Sequence, residues 1–419
     1  MPLSARLKKF FGDPMLLGLV LALSIFGVLM VYSAGQLDAP DARVMHVWKT
    51  QIMWLFIALG VMFVVARIPI QWFEWAAIPA YVIGITSLLA TLVIGVGKGT
   101  AAGTKSWLEL GPIAVQPSQF MNIATILMLA RVMGSRREPP QSLAQLWAPL
   151  LIAGVPFMLV MAQPDLGTAM VFGAALIATM YWAGVPGGMM FMLISPMLAL
   201  FLSMSTWVFS VYMLIIIVFL MIYRPFLWES VTVVVVNLIA GTIRGPLWNS
   251  LEPYQQARLV SFLDPSLDPR GSGYQLIQSQ VAIGSGGLFG KGFLEGSQKR
   301  LAFLPEQHTD FIFAVIGEEL GFLFGTLPVL IVFGLILWRL VRIAERVADP
   351  FAGIVIFGIF GAWFAHVFVN VGMTIGLMPI TGIPLPFLSY GGSFLIASYI
   401  STAIVQRAAA EHSRSGVLR

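Results

Sequence analysis

The chain has 419 residues, of which 58% are hydrophobic and only 10% charged, and it carries a net charge of +5. Soluble domains carry about 25% charged residues, so an ordinary soluble enzyme is excluded, and the modest cation excess reads as a membrane-orientation signal rather than a nucleic-acid surface. There is no cysteine, which excludes disulfides, thiol catalysis and thiolate metal sites. The four histidines show no HExxH-type spacing, and no dinucleotide or phosphate-loop fingerprint occurs.

The N-terminus, "MPLSARLKKFFGDPMLLGLVLALSIFGVLMVYSAG", is basic and then apolar over the length of a full span, so it reads as an uncleaved first helix. Further apolar runs follow at 49–67, 74–95, 117–134, 147–162, 166–184, 188–205, 206–223, 228–244, 311–338, 352–376 and 388–408, the first being 14–33. Runs of about 20 residues cross a bilayer as helices. The expected fold is an all-α polytopic membrane protein with about twelve transmembrane helices and one large extracytoplasmic loop. Residues 1–13 form a cytoplasmic N-terminus, 14–245 hold helices one to nine, 246–310 form the loop, 311–408 hold the last three helices, and 409–419 are a cytoplasmic tail.

Orientation follows from Lys and Arg in short loops. With the N-terminus inside, Arg6, Lys8, Lys9, Arg67, Arg131, Arg136, Arg137, Arg224, Arg339, Arg342, Arg346, Arg407 and Arg414 all fall on the cytoplasmic side. The long segment 246–310 is then outside, and its length exempts it from the rule.

Ionisable residues gather where the chain re-enters the membrane. "FLPEQHTDFIFAVIGEELG" places Glu306, His308 and Asp310 just before a span, and Glu318 and Glu319 within it. Asp310 has two readings: an acid capping a helix N-terminus, or a carboxylate facing a cavity and available as a general base. Glu318 and Glu319 read as partners of buried basic or polar groups. The preceding loop holds Arg258, Arg270, Lys291, Lys299 and Arg300, with glycines around Lys291 in "GGLFGKG", a combination suited to phosphate. Asp165 in "QPDLGTAM" reads as the cap of a helix starting near Leu166. Trp107 lies in a hairpin-like outer segment. The prolines and glycines of "GLMPITGIPLPFLSYGGS" break a helix at the outer surface, which membranes tolerate only where protein or a water-filled cavity satisfies the backbone. The polar breaks converge on one face, as a lipid-tailed substrate with a charged head would require.

Four stretches, "QPDLGTA", "DPRGSGYQLIQSQVAIGSGGLFGKG", "FLPEQHTDFIFAVIGEELG" and "PLPFLSYGGS", together resemble the SEDS family of RodA, FtsW and SpoVE proteins, over about residues 14 to 408. The resemblance implies a peptidoglycan glycosyltransferase that polymerises lipid II at the outer face of the bacterial cytoplasmic membrane, partnered by a class B penicillin-binding protein and other elongation or division machinery. It implies Asp310 as the catalytic acid, with Lys291, Arg258, Gln275, Ser279, Glu306, His308, Asp165, Trp107 and Ser389 as substrate-binding candidates. It implies no certain cofactor. The pyrophosphate leaving group calls for cations or a divalent metal such as Mg or Mn. An elongation-type, RodA-like member is expected, the alternatives being a division-type polymerase or a lipid II flippase. Three departures stand out. The usual "QPSE…K" reads "QPSQFMN", with Gln119 and Asn122 replacing an acid and a base; the usual "RW" reads Ser106-Trp107; and apolar sequence sufficient for an extra pair of spans precedes the large loop.

Overall fold

The computed structural model describes residues 12–39, 42–97, 105–111, 113–136, 138–251, 253–264 and 272–415. Arg6, Lys8, Lys9, Arg137 and Arg270, singled out above, lie outside them. Among the described residues, twelve long helical segments occupy the twelve apolar runs. These are α1 (Pro14–Ala34), α2 (Val47–Val65), α3 (Ile70–Ile94), α4 (Pro117–Gly134), α5 (Trp147–Met161) and α6 (Leu166–Trp182). They continue with α7 (Gly187–Leu202), α8 (Thr206–Tyr223), α9 (Leu227–Thr242), α10 (Ile312–Arg346), α11 (Pro350–Ile375) and α12 (Gly392–Ser415). Seven helices are long and apolar enough to cross a membrane on length and composition alone, and eight if α9 is joined across a bend to Arg244–Ser250.

Local sequence sets the starts. Asp13 caps α1, its Oδ1 accepting from Leu16 N at 2.9 Å, and Pro14 follows as first helical residue. Asp349 and Pro350 open α11 in the same way. Both use a side-chain acceptor for an orphan N–H and a proline where no donor is needed. Between α3 and α4 the expected hairpin is present as β1 (Leu108–Leu110) and β2 (Ile113–Val115), paired antiparallel with Glu109 opposite Ala114.

The bundle is organised around α11. Most of its apolar window, 78%, is buried, against 17–39% for the other six qualifying helices, so α11 is the hub and the others face lipid. It packs on α4, α6 and α10. Glycines permit the closest approach: a Cβ on Gly361 would lie 2.4 Å from the Ala178 Cβ of α6, the small-residue packing that membrane helices use. The bundle's outer surface carries exposed Phe56, Trp72, Val93, Trp207 and Leu227, an apolar boundary suited to hydrocarbon.

Two ties show that α1 runs opposite to α10 and α12. At one end, Asp13 pairs with Arg339 of α10 at 2.6 Å and its N–H donates to Gln406 Oε1 of α12. At the other end lie the 95–116 connection, Asp165, the long loop and segment 376–391.

The last helix starts at Gly392, four residues later than expected. The stretch before it is extended and turned, and its carbonyls are met from inside the bundle: His366 Nδ1 donates to Pro384 O, Asn370 to Ile383 O and Gln51 to Ser389 O. Helix α10 is longer than expected and interrupted by a π-turn at Phe322–Thr326. Two N–H groups released there, of Phe322 and Leu323, donate at 2.9 Å to the carbonyls of Gly287 and Leu288 in the loop.

Candidate active site

The long loop contains two helices, Pro253–Leu263 and Ser272–Gly286, and a short turn of helix at Ser297–Arg300. Its glycines meet α10 backbone to backbone: a Cβ on Gly286 would fall 2.0 Å from Gly317 O, and one on Gly290 2.1 Å from Glu319 O. Lys291 N and Gly292 N donate to the Glu318 and Glu319 carbonyls at 3.1 and 2.9 Å. The two intramembrane acids have the partners expected of them. Glu318 accepts from Lys291 Nζ at 2.8 Å, from Ser297 Oγ, and from the backbone N–H groups of Gln298 and Lys299. Glu319 forms an ion pair with Lys299, both wholly buried, and Ser33 of α1 joins them.

This placement gives Lys291 partners within the protein. Its ammonium is bound to Glu318 and Ser297, and it is not among the charges that act on Asp310. The glycines beside it serve the approach to α10.

Asp310 stands two residues before α10. The residue preceding the helix is Phe311, and no side chain caps the first turn, so the capping reading of Asp310 does not hold. What fixes Asp310 is its own carbonyl, which accepts from Asn370 Nδ2 of α11 at 2.8 Å, and the turn before it, where Thr309 Oγ1 donates to the Glu306 carbonyl at 3.1 Å. Gly382, at φ +75°, faces the carboxylate: a Cβ there would lie 3.3 Å from Oδ2. The backbone at Glu306 takes φ +52°, a strained conformation of the kind that clusters at functional sites. Its carbonyl receives Thr309 N at 3.1 Å and closes the turn that presents Asp310.

Burial pushes the Asp310 carboxyl up to about 7, helped by the negative charges of Glu306 and Asp165 and opposed by the Arg258 guanidinium. Burial also raises Asp165, with Thr168, Arg258 and Gln116 opposing. Burial lowers His308, and Glu306 opposes it. The structure therefore brings Asp310, Glu306, Asp165 and Arg258 into one electrostatic unit, although Asp165, Arg258 and Asp310 come from three separate elements.

Asp165 caps α6 as expected. Its Oδ1 accepts from Thr168 N at 3.0 Å and its Oδ2 from Thr168 Oγ1 at 2.8 Å, and Oδ2 also accepts from Gln116 Nε2 at 3.2 Å. The other candidates divide. The His308 ring lies 5.6 Å from that of Tyr390, whose N–H donates to the His308 carbonyl. Ser279 is buried and donates to Thr374 O, holding the second loop helix on α11. Ser389 is buried and accepts from Leu385 N, closing the turn before α12. Gln275 is half-buried on the second loop helix, and half-buried Trp107 pairs its backbone with Val96. Gln116, Thr309, Asn370 and Gly382 escaped sequence reading. Asn370 had a usable signal, since a polar side chain in the middle of an apolar span requires a partner.

Among the described residues no three His, Asp or Glu side chains are placed to hold a metal ion.

The family model described as cell cycle protein, FtsW/RodA/SpoVE, matches residues 14–213 and 189–414. The chain belongs to the FtsW/RodA/SpoVE family. Peptidoglycan glycosyltransferase MrdB of Escherichia coli K12 is 36% identical over 95% of this chain and 93% of its own length. Peptidoglycan glycosyltransferase RodA of Treponema pallidum is 34% identical over 94% and 96%, and stage V sporulation protein E of Bacillus subtilis 32% over 95% and 97%. Among solved structures, a chain of a peptidoglycan synthase complex that coordinates polymerization and crosslinking superposes with a TM-score of 0.70 at 27% identity, covering 96% of this chain and 98% of that one. The rod shape determining protein RodA of Thermus thermophilus shares the fold, with a TM-score of 0.61 at 24% identity over 96% and 97%. The FtsW/RodA/SpoVE fold thus extends over nearly the whole chain, and the chain is a multi-pass membrane protein.

Proposed function

We propose that this protein is a peptidoglycan glycosyltransferase that polymerises lipid II at the outer face of the bacterial cytoplasmic membrane. The observation that carries the mechanism is Asp310, a buried carboxyl raised to about 7 beside Arg258. A general base works best with its pKa near the operating pH. The 4-hydroxyl oxygen of the acceptor sugar attacks the anomeric carbon of the donor, and Asp310 takes the hydroxyl proton. The bond from that carbon to the phosphate oxygen breaks, and undecaprenyl pyrophosphate departs with the electron pair. One base suffices when the leaving group is already activated. Arg258 is the cation assigned to the pyrophosphate. Glu306, His308 and Asp165 border the head group, and Gln275 and Trp107 remain on its rim as contact residues.

The relatives' names support this reading, and an elongation-type, RodA-like member is favoured over a division-type one, with 36% and 34% identity to MrdB and RodA against 32–33% to FtsW proteins. A class B penicillin-binding protein is the partner that fits the synthase complex. The test is polymerisation of purified lipid II by wild type and Asp310→Ala, each with and without a cognate transpeptidase. The reading requires glycan strands from wild type and none from the variant. Equal strands from both would overturn it.

A further inference from the structure

Gln119 sits at the inner end of a hydrogen-bonded chain leading to the site. Gln119 Nε2 donates to Gln116 Oε1 at 3.1 Å, and Gln116 Nε2 donates to Asp165 Oδ2 at 3.2 Å. Gln119 is 5% exposed. It borders a cavity of about 30 Å³ inside the bundle, together with Asn122, Trp363, His366, Phe394 and Ser398. The Asn122 Nδ2 and Ser398 Oγ atoms have no hydrogen-bond partner there.

The direction of this chain is forced from its outer end. An ionised carboxylate only accepts hydrogen bonds, so Gln116 must turn its NH2 group to Asp165. Its carbonyl then points back to residue 119, which must donate. Gln119 can do so. A carboxylate at 119 could not: Gln116 would swing its NH2 group inward and set its carbonyl against Asp165. The amide at 119 thereby selects which end of Gln116 meets Asp165.

We propose that Gln119 is a positioning residue: through Gln116 it orients the Asp165 carboxylate that faces the lipid II head group beside Arg258 and Asp310. The proposal rests on the reading of that cluster as the reaction site. Hydrogen bonds to charged groups are the stronger class, so their loss at Asp165 is readable as weaker substrate binding.

The experiment is lipid II polymerisation by purified protein, with kcat and KM resolved, for Gln119→Met, Gln116→Met, the double variant and the near-isosteric Gln119→Glu. Each single variant is expected to raise KM about tenfold, the equivalent of about 1.4 kcal/mol. The double variant is expected to be no worse than the singles, because both cut one chain. A protein that merely folds less well loses active molecules, which lowers kcat at constant KM. Unchanged KM in both Gln119 variants, or effects of Gln119→Met and Gln116→Met that multiply, would overturn the proposal. Gln119→Glu decides the case if Gln119→Met does not fold. Asp310→Asn is run alongside: normal turnover in that variant would remove the reaction site itself, a failure distinct from that of the chain of amides.

Discussion

The acidity of Asp310 makes the pH profile of polymerisation a direct readout of the site. With a carboxyl at about 7, about one tenth of the molecules carry the base form at pH 6 and about nine tenths at pH 8, so the rate should rise by roughly tenfold across that interval. Glu306→Gln removes a negative charge that raises Asp310, and the acid limb should move to lower pH. Arg258→Gln removes the positive charge that lowers it, and the limb should move to higher pH. The remaining neighbours are Asp165, whose charge also raises Asp310, and His308, which burial pushes down. Burial is the largest cause of the shift, so even Glu306→Gln should keep its limb above the ordinary aspartate range. The assay is initial rate on purified lipid II between pH 5 and 9, with enzyme stability checked at each pH. A limb that stays fixed in Glu306→Gln, or moves upward, refutes the assignment.

The same raised carboxyl has a cost in stability. The folded value lies above the unfolded value of 3.8, so the penalty is complete above about pH 7 and is relieved as pH falls through the folded value towards the unfolded one. Asp310→Asn should therefore melt higher than wild type at pH 8, with the difference closing near pH 4, while losing at least roughly 10²-fold in polymerisation. Lys299→Met should strand buried Glu319, which among the described residues then keeps only Ser33, at about 3–5 kcal/mol; the double variant Lys299→Met/Glu319→Leu should recover much of that in thermal unfolding. Lys291→Met should be milder, because Glu318 retains Ser297 and two backbone donors. Exposed Glu295 offers a topology test: Glu295→Cys, unique in a chain without native cysteine, should react with an impermeant maleimide from outside the cell. Labelling solely from the cytoplasmic side would invert the orientation.

Much of this was legible in the residues. The twelve apolar runs located the helices because burial in lipid and burial in protein select the same side chains. The capping role of Asp165 followed from its place before Leu166. Sequence could not separate the roles of the two lysines and two glutamates near 291–319, because a glycine-flanked cation suits a phosphate and a close-packed backbone equally well. Nor could it reveal that Gln116, Asp165, Arg258 and Asp310 act on one another, since this depends on how four elements distant in sequence come together. The start of α12 was misplaced because periodicity registers apolar content, whereas the prolines at 384 and 386 and the carbonyls met by His366, Asn370 and Gln51 govern the backbone there.

The seam between the loop and α10 has a mechanical consequence. To slide residues 286–300 against α10, the protein must break four backbone hydrogen bonds, two of them at the π-turn, and expose two carboxylates at once. Asp310 rides on the head of that same helix. The segment that looks like a surface loop is therefore a stiff handle welded to the span, and a push on it moves the base as a unit instead of being lost in local bending.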